Sequence, residues 1–351
     1  MNIGLVAERF ASESGVGPER YSYELLESLY RLGVKVRPIS SNPRRRRLAL
    51  AINAFTLLPL KQISAITNVD LFHATDPSSA IALPFLSKPS VVTFHDTMAF
   101  RYRGGQFGVM DRMFSLLTFL LTTKCSIIIA VSTQTKRELI RFFRLPEEKV
   151  RVINPGISEH FKVLMREKSE PPLFGFVGNL TKRKGVDFLL AAFRLLVKKY
   201  IPDAKLAVVG QGSDADKLVA MARNIGIQNN VFFLNAISNR ELAVLYNRMH
   251  VLFFPSEYEG FGLPILEAQK CGTPVIIRRG AAISPEVAKA CIKVSTPDEM
   301  AREAYNLTVD RKRYDDLVEQ GLRHAKNFRW EVSAQKTLAI YEELLQRKGK
   351  E

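Results

Sequence analysis

Short, mostly apolar runs alternate with amphipathic stretches along most of the chain. NIGLVA, VKVRPI, VDLFHA, SVVTFH, SIIIAVS and VRVI in the first half, and LFGFVGN, KLAVVG, VFFLN, VLFFP and PVII in the second, are rich in Val, Ile and Phe and short enough to be strands. Apolar residues recur at helical spacing between them, in PERYSYELLESLYRL, TQTKRELIRFF, GVDFLLAAFRLLVKKY, DADKLVAMARNIG, NRELAVLYNRM and PILEAQKCG. Strands interleaved with helices predict parallel sheets covered on both faces, and the scheme runs through twice. The expected class is therefore α/β, built as two doubly wound halves with ligands at the C-terminal ends of strands. NPGISEHFKVLMREKSEPPL (residues 154–173) is polar, bears prolines, lacks periodicity and marks the boundary. The tail Asp298–Lys350 is nearly all helix-forming and carries the single tryptophan, Trp330.

A length of 351 residues supports this division, since single cores usually stop growing near 250–300. Three well-separated cysteines, with no CxxC or Cys/His spacing, predict a reducing, cytoplasmic setting. MNIGLVAERF reads as a first strand and lacks the basic-then-apolar order of a signal peptide.

The formal charge of +16 raises the question of an anionic partner. Residues 1–165 hold 22 Lys/Arg against 13 Asp/Glu, and the remainder 29 against 22, so the excess is spread over both halves. The dense run is Arg44–Arg47, ahead of the apolar Leu48–Leu60. Arginines meeting anionic headgroups while Leu, Ile and Phe enter the interface would make a peripheral membrane contact, and the alternative is a solvated loop before a core helix. No zinc, base-stacking or helix-turn-helix pattern accompanies the charge, so no nucleic acid is expected. MFSLLTFLLTTKCSIIIAV is long enough to span a bilayer, but Lys124 interrupts it, and a buried helix followed by a core strand explains it better.

Four loops carry candidate chemistry. SGVGPERYSYELL places Gly15 and Gly17 before a helix, where backbone can approach an anion. GNLTKRKGVDFLL sets Lys182, Arg183 and Lys184 at a strand end, well placed to neutralise a diphosphate. In VVGQGSDADKL, Gly210 and Gly212 could line a nucleotide, whereas Asp214 and Asp216 begin a helix and read as residues that complement its dipole rather than as metal ligands. In PSEYEGFGLPILEAQKCGTPVI a glycine turn opens a helix at Pro264. The amides of Gly262 and Leu263 would face an anion, Glu267 could accept from vicinal hydroxyls, and Glu259 could reach a sugar. His95-Asp96 follows a strand end in the first half, where it would face the same cleft as these loops.

Taken together, these motifs resemble a retaining glycosyltransferase of family 4 with the GT-B fold, over nearly the whole chain. AVSTQTKRELI with VRVINPGI, the glutamate–glycine block, SPEV at Ser284–Val287 and FRWEVSAQKTLAIYEELL carry the resemblance alongside the glycine and basic turns. It implies two Rossmann-like domains facing across a cleft: an acceptor domain at 1–166 completed by a returning helix at 331–351, and a nucleotide-sugar donor domain at 167–330. By the same resemblance Glu267 binds the ribose, Glu259 the donor sugar, Lys184 and Arg183 the diphosphate, and His95 sits near the transferred sugar. Gly15, Gly17, Asn179, Gly210, Gly212, Gly260, Phe261, Gly262, Leu263 and Glu286 complete the donor-binding set. Many members carry Arg where this chain has Asn179, and Arg183 would supply the second cation. That pattern and the early HD are similar to the mannosyltransferase-like branch, which points to GDP-mannose over UDP-sugars.

The implied reaction moves a hexose to an acceptor hydroxyl, on a sugar or a lipid-linked molecule, with no cofactor and no metal. Phosphate departure would be stabilised electrostatically by the cations and the helix start. Two alternatives stand beside this reading: a relative with 2-epimerase-like chemistry, and an inactive basic protein that binds membrane surfaces.

Overall fold

The computed structural model describes the chain except residues 12–16, 41–57, 102–107, 165, 166 and 349–351. Gly15 and Arg44–Arg47 therefore lie outside the described residues. Two compact units are present, one drawn from the chain up to Gly156 and from Phe328 onwards, the other from Ile157–Asn327.

In the first unit the strands are β1 (Asn2–Val6), β2 (Lys35–Ile39), β3 (Leu71–Ala74), β4 (Ser90–Phe94), β5 (Ile127–Ala130) and β6 (Val150–Val152), all parallel in the order β2-β1-β3-β4-β5-β6. Every residue of β3, β4 and β5 is buried, which is why these segments are mostly apolar rather than alternating, with His73, Ser90 and Thr93 as buried polar exceptions. The edge strand β2 is largely exposed and tolerates Pro38, whose missing N–H matters least there.

Helix Gly17–Arg31 buries Tyr21, Ser22, Leu25, Leu26, Ser28 and Leu29, its i, i+4, i+8 face. Helix Trp330–Lys348 belongs to this unit, and a buried polar chain fastens it there. His73 of β3 bonds Tyr341 Oη at 2.6 Å through Nδ1 and Thr93 Oγ1 at 2.8 Å through Nε2. Burial, with His95 nearby, lowers His73 to about 3, so its imidazole is neutral and presents one donor and one acceptor.

The second unit contains β7 (Leu173–Val177), β8 (Lys205–Val209), β9 (Val231–Leu234), β10 (Val251–Phe254), β11 (Val275–Arg278) and β12 (Ile292–Val294), parallel in the order β12-β11-β10-β7-β8-β9. Its core lies between this sheet and helices such as Val186–Lys199, which buries Leu189, Leu190, Phe193 and Leu196. Strand β12 has no counterpart in the sequence reading: three residues with a lysine in the middle carry too little pattern.

One expectation is overturned. The helix before β5, Val109–Thr122, is not buried as expected. Phe119 packs edge-on against Phe94, 4.7 Å between centroids, while Val109, Met110, Met113, Leu116, Leu117 and Leu120 are exposed. Past Asp111 and Arg112 the segment is dominated by Leu, Met and Phe, and apolarity alone cannot tell which face finds a partner. Among the described residues no helix is long and apolar enough to cross a membrane.

Candidate functional site

Each sheet reverses its strand order once, between β1 and β3 in the first unit and between β7 and β10 in the second. Loops leaving the carboxyl ends of two such strands diverge to opposite faces and leave a crevice between them. Both crevices hold clustered ionisable side chains.

In the second unit the loop after β7 delivers Arg183 and Lys184, and the loop after β10 delivers Glu259. Gly185 ends the basic turn with φ +64, and a Cβ there would lie 2.5 Å from Pro255 O, so only glycine lets the two loops meet this closely. Glu257 N donates to Arg183 O at 2.9 Å, tying one loop to the other. The result is a buried ion cluster. Lys184 Nζ donates to Glu259 Oε1 at 2.6 Å, and Arg183 Nη1 lies 3.4 Å from the same oxygen. Arg183 Nη1 also donates to Tyr258 O at 2.5 Å.

Burial alone would raise the Glu259 carboxyl, but Lys184 and Arg183 outweigh it and hold the group below its usual range. The carboxylate is thus ionised, and two cations share one buried anion. Arg183 Nε is buried with no hydrogen-bond partner among the described residues, and so is Thr181 Oγ1. Orphaned donors beside surplus positive charge fit an anionic ligand.

Of the other expected residues in this unit, Gly262 takes φ +107 and caps helix Leu263–Lys270 without any side-chain cap. In its first turn Pro264 has no N–H and Ile265 N donates to Gly262 O at 3.1 Å, so the turn offers a ligand the Leu263 amide rather than a full set. Gly260 and Phe261 form the turn, with Phe261 buried. Glu267 is 2% exposed and accepts from Tyr246 Oη at 3.1 Å. Glu286 accepts from Ser284 Oγ, and its carbonyl accepts from His324 Nε2 at 2.8 Å. Asn179 is exposed.

Gly210 and Gly212 have a structural reason to be glycine. A Cβ on either would strike the loop after β7, at 1.9 Å from Gly178 O and 2.2 Å from Leu180 O respectively. Asp214 sits at the N-cap position of helix Ala215–Asn224 as expected, but makes no side-chain cap bond and instead lies 3.7 Å from Lys217.

In the first unit Gly17 is the exposed first residue of its helix, and a Cβ added there would meet nothing within 4 Å. His95 follows β4 and donates from Nε2 to Thr75 O at 2.8 Å, leaving Nδ1 as the acceptor. Burial lowers its basicity, against the bond it donates to Thr75 O and the nearby Asp76 and Asp96. It lines a pocket of about 480 Å³ with groups the sequence reading passed over, Glu8, Glu19 and Asp76 among them. The available signal was position: Glu8 lies just past the end of β1 and Asp76 just past the end of β3, the two strands flanking the switch.

Family models decide the assignment. The model described as glycosyl transferases group 1 matches residues 159–324, and that for glycosyltransferase family 4 matches 16–161. The chain belongs to glycosyltransferase family 4. This family 4 glycosyltransferase is 27% identical over 315 residues to O-antigen chain mannosyltransferase B of Escherichia coli, covering 84% of this chain and 81% of that one. Its GT-B fold matches sucrose-phosphate synthase from Thermosynechococcus elongatus, with a TM-score of 0.79, 20% identity and 99% of each chain covered. Anabaena HepE in complex with UDP and glucose matches with a TM-score of 0.75 and 17% identity, over 98% of this chain and all (100%) of that one.

Proposed function

We propose that the protein transfers a hexose, with retention and without a metal, from a nucleoside-diphosphate sugar held by the second unit to an acceptor hydroxyl. The observation that carries this reading is the cluster of Lys184, Arg183 and Glu259: two buried cations on one carboxylate, beside an uncapped helix start. A diphosphate placed there brings the negative charge that the cluster lacks. Glu259, released in part from Lys184, accepts from hydroxyls of the donor sugar, and Glu267 accepts from the ribose diol.

As the bond from the sugar's anomeric carbon to the phosphate oxygen breaks, charge grows on that oxygen, and Lys184 and Arg183 stabilise it. The acceptor oxygen then bonds to the same face of the sugar, and its proton passes to the departing phosphate. His95, with Nδ1 unprotonated, is an acceptor suited to a sugar hydroxyl.

The mannosyltransferase name of the Escherichia coli relative supports GDP-mannose as donor, whereas the ligands of HepE point to UDP-sugars. A thermal-shift panel of GDP-, UDP- and ADP-sugars decides between them, since a bound ligand raises apparent stability by mass action. Glu267→Ala removes most of that shift and Lys184→Ala most of the turnover; unchanged behaviour in both variants sinks the assignment. Activity persists in EDTA, and strict dependence on Mn²⁺ or Mg²⁺ returns Asp214 and Asp216 to consideration.

A lipid-linked acceptor at the cytoplasmic membrane face is supported by the exposed apolar face of Val109–Thr122 and by the sequence Arg44–Arg47. Loss of binding to anionic vesicles when the four arginines become serine tests it.

A further inference from the structure

The pocket of the first unit inverts the charge of the protein. The chain carries +16 overall, yet the pocket's described lining presents the carboxyl groups of Glu8, Glu19, Asp76 and Asp96 against the guanidinium of Arg9. The lining also holds apolar side chains, Met98, Phe114 and Phe119 among them. We propose that this pocket is the acceptor site and selects a neutral, hydroxyl-bearing group, rejecting phosphorylated and other anionic acceptors. The proposal rests on the transferase reading and adds the chemical class of the acceptor.

The geometry argues for hydroxyls. Ser78 Oγ lies 2.7 Å from Glu8 Oε1 and also bonds Asp76 Oδ1. A hydroxyl has one proton, so Ser78 must share it between the two acids unless one of them is itself protonated. Burial and the Asp76 charge favour protonation of Glu8, pushing it up to about 7. Glu8 thus holds a proton near neutrality and offers a ligand oxygen a mixed donor–acceptor face.

Glu19 Oε2 is shut from solvent and has no hydrogen-bond partner among the described residues. A buried carboxylate oxygen without a donor is costly, and a ligand hydroxyl satisfies it. A phosphate in the same place brings two charges toward Glu19 and Asp76, and also faces Glu8, whose deprotonation it opposes. The apolar side chains then cover the carbon face of a sugar ring or the start of an alkyl chain.

The test measures binding to the full chain without donor. Octyl mannoside and octyl glucoside are titrated against the same glycosides carrying a 6-phosphate. Calorimetry and the emission of Trp330, the single tryptophan, read the titrations. Trp330 lies 5.3 Å from the Tyr21 ring, which in turn lies 4.8 Å from His95 in the pocket wall. The neutral glycosides bind and the phosphates bind at least about tenfold more weakly, a factor of ten being about 1.4 kcal/mol of repulsion.

Glu19→Gln, isosteric and checked for unchanged thermal unfolding, narrows the discrimination at least about threefold, whereas Glu8→Gln, replacing a group already partly protonated near neutrality, narrows it by no more than about twofold. Equal or tighter binding of the phosphates, no binding of either neutral glycoside, or discrimination unchanged in Glu19→Gln overturns the proposal. Nucleotide-sugar turnover is assayed separately. If no donor is turned over while the neutral glycosides bind selectively, the transferase reading fails and the selectivity of the pocket stands.

Discussion

Lys184 Nζ sits 2.6 Å from Glu259 Oε1, so without ligand the cation expected to meet the donor's diphosphate is already engaged by the carboxylate expected to meet its sugar. The same oxygen also lies 3.4 Å from Arg183. Binding and chemistry therefore compete for one carboxylate. Glu259→Gln frees both cations and is expected to tighten free nucleoside diphosphate by about threefold to tenfold, while lowering sugar transfer by about 10²-fold or more. Calorimetry with the diphosphate and a transfer assay read the two effects. Weaker diphosphate binding would falsify this account of the cluster.

Removing the cation instead has a different signature. Lys184→Ala leaves Glu259 buried with Arg183 as its remaining neighbour in the cluster. The stability loss is expected to fall below the ~3–5 kcal/mol of a fully abandoned buried charge, because Arg183 can close on the carboxylate. Urea unfolding measures it, and Arg183→Ala/Lys184→Ala together should cost more than the two single changes added.

The glycines separate into two kinds. Gly210→Ala places a methyl 1.9 Å from Gly178 O at φ +146, so a loss of more than about 3 kcal/mol is expected, visible as a large drop in the unfolding midpoint. Gly17→Ala meets nothing within 4 Å and should leave stability unchanged or raise it by up to about 1 kcal/mol. Any loss of donor affinity in the Gly17 variant then reports on the ligand and not on folding.

Acid stability reads out the His73–Tyr341 link. The folded state refuses a proton on His73 until about pH 3, whereas the unfolded chain accepts one near 6.5. Its stabilising contribution is fully present above pH 6.5 and is lost as pH falls below it, by about 1.4 kcal/mol per unit. Glu8, raised to about 7 chiefly by burial, acts oppositely: its contribution is full below pH 4.5 and is lost as pH rises through 7. Glu8 is unchanged in His73→Asn, so the wild-type advantage over that variant should shrink by about 2 kcal/mol between pH 7 and pH 5. A constant difference in urea-unfolding free energy across that range would show that His73 is not the group responsible.

Much of the second unit's site was legible because its loops are chemically distinctive. Three successive cations after a strand, then a glycine turn framed by Glu259 and Glu267, carry their meaning in residue type and spacing alone. The first unit's pocket was far less so. Glu8 and Asp76 are single acids in ordinary turns, 68 positions apart, and only the order β2-β1-β3 sets their strands side by side. Helix Val109–Thr122 shows the same limit from the other direction: its composition is that of a core element, and its packing leaves one face open.

The sequence by itself determined the class of the fold, the positions of most strands and which residue types cluster in the loops after β7 and β10, because periodicity and glycine or cation spacing are local properties. Tertiary structure decided which groups meet. Lys184 and Glu259 are 75 residues apart in sequence, and their pairing depends on β7 and β10 being neighbours at the point where the sheet reverses. His73 and Tyr341, 268 residues apart, are joined because the last helix packs on the first sheet, burying an imidazole that would otherwise titrate near neutrality. Charge state follows burial and neighbours, and both are set only when the chain has folded.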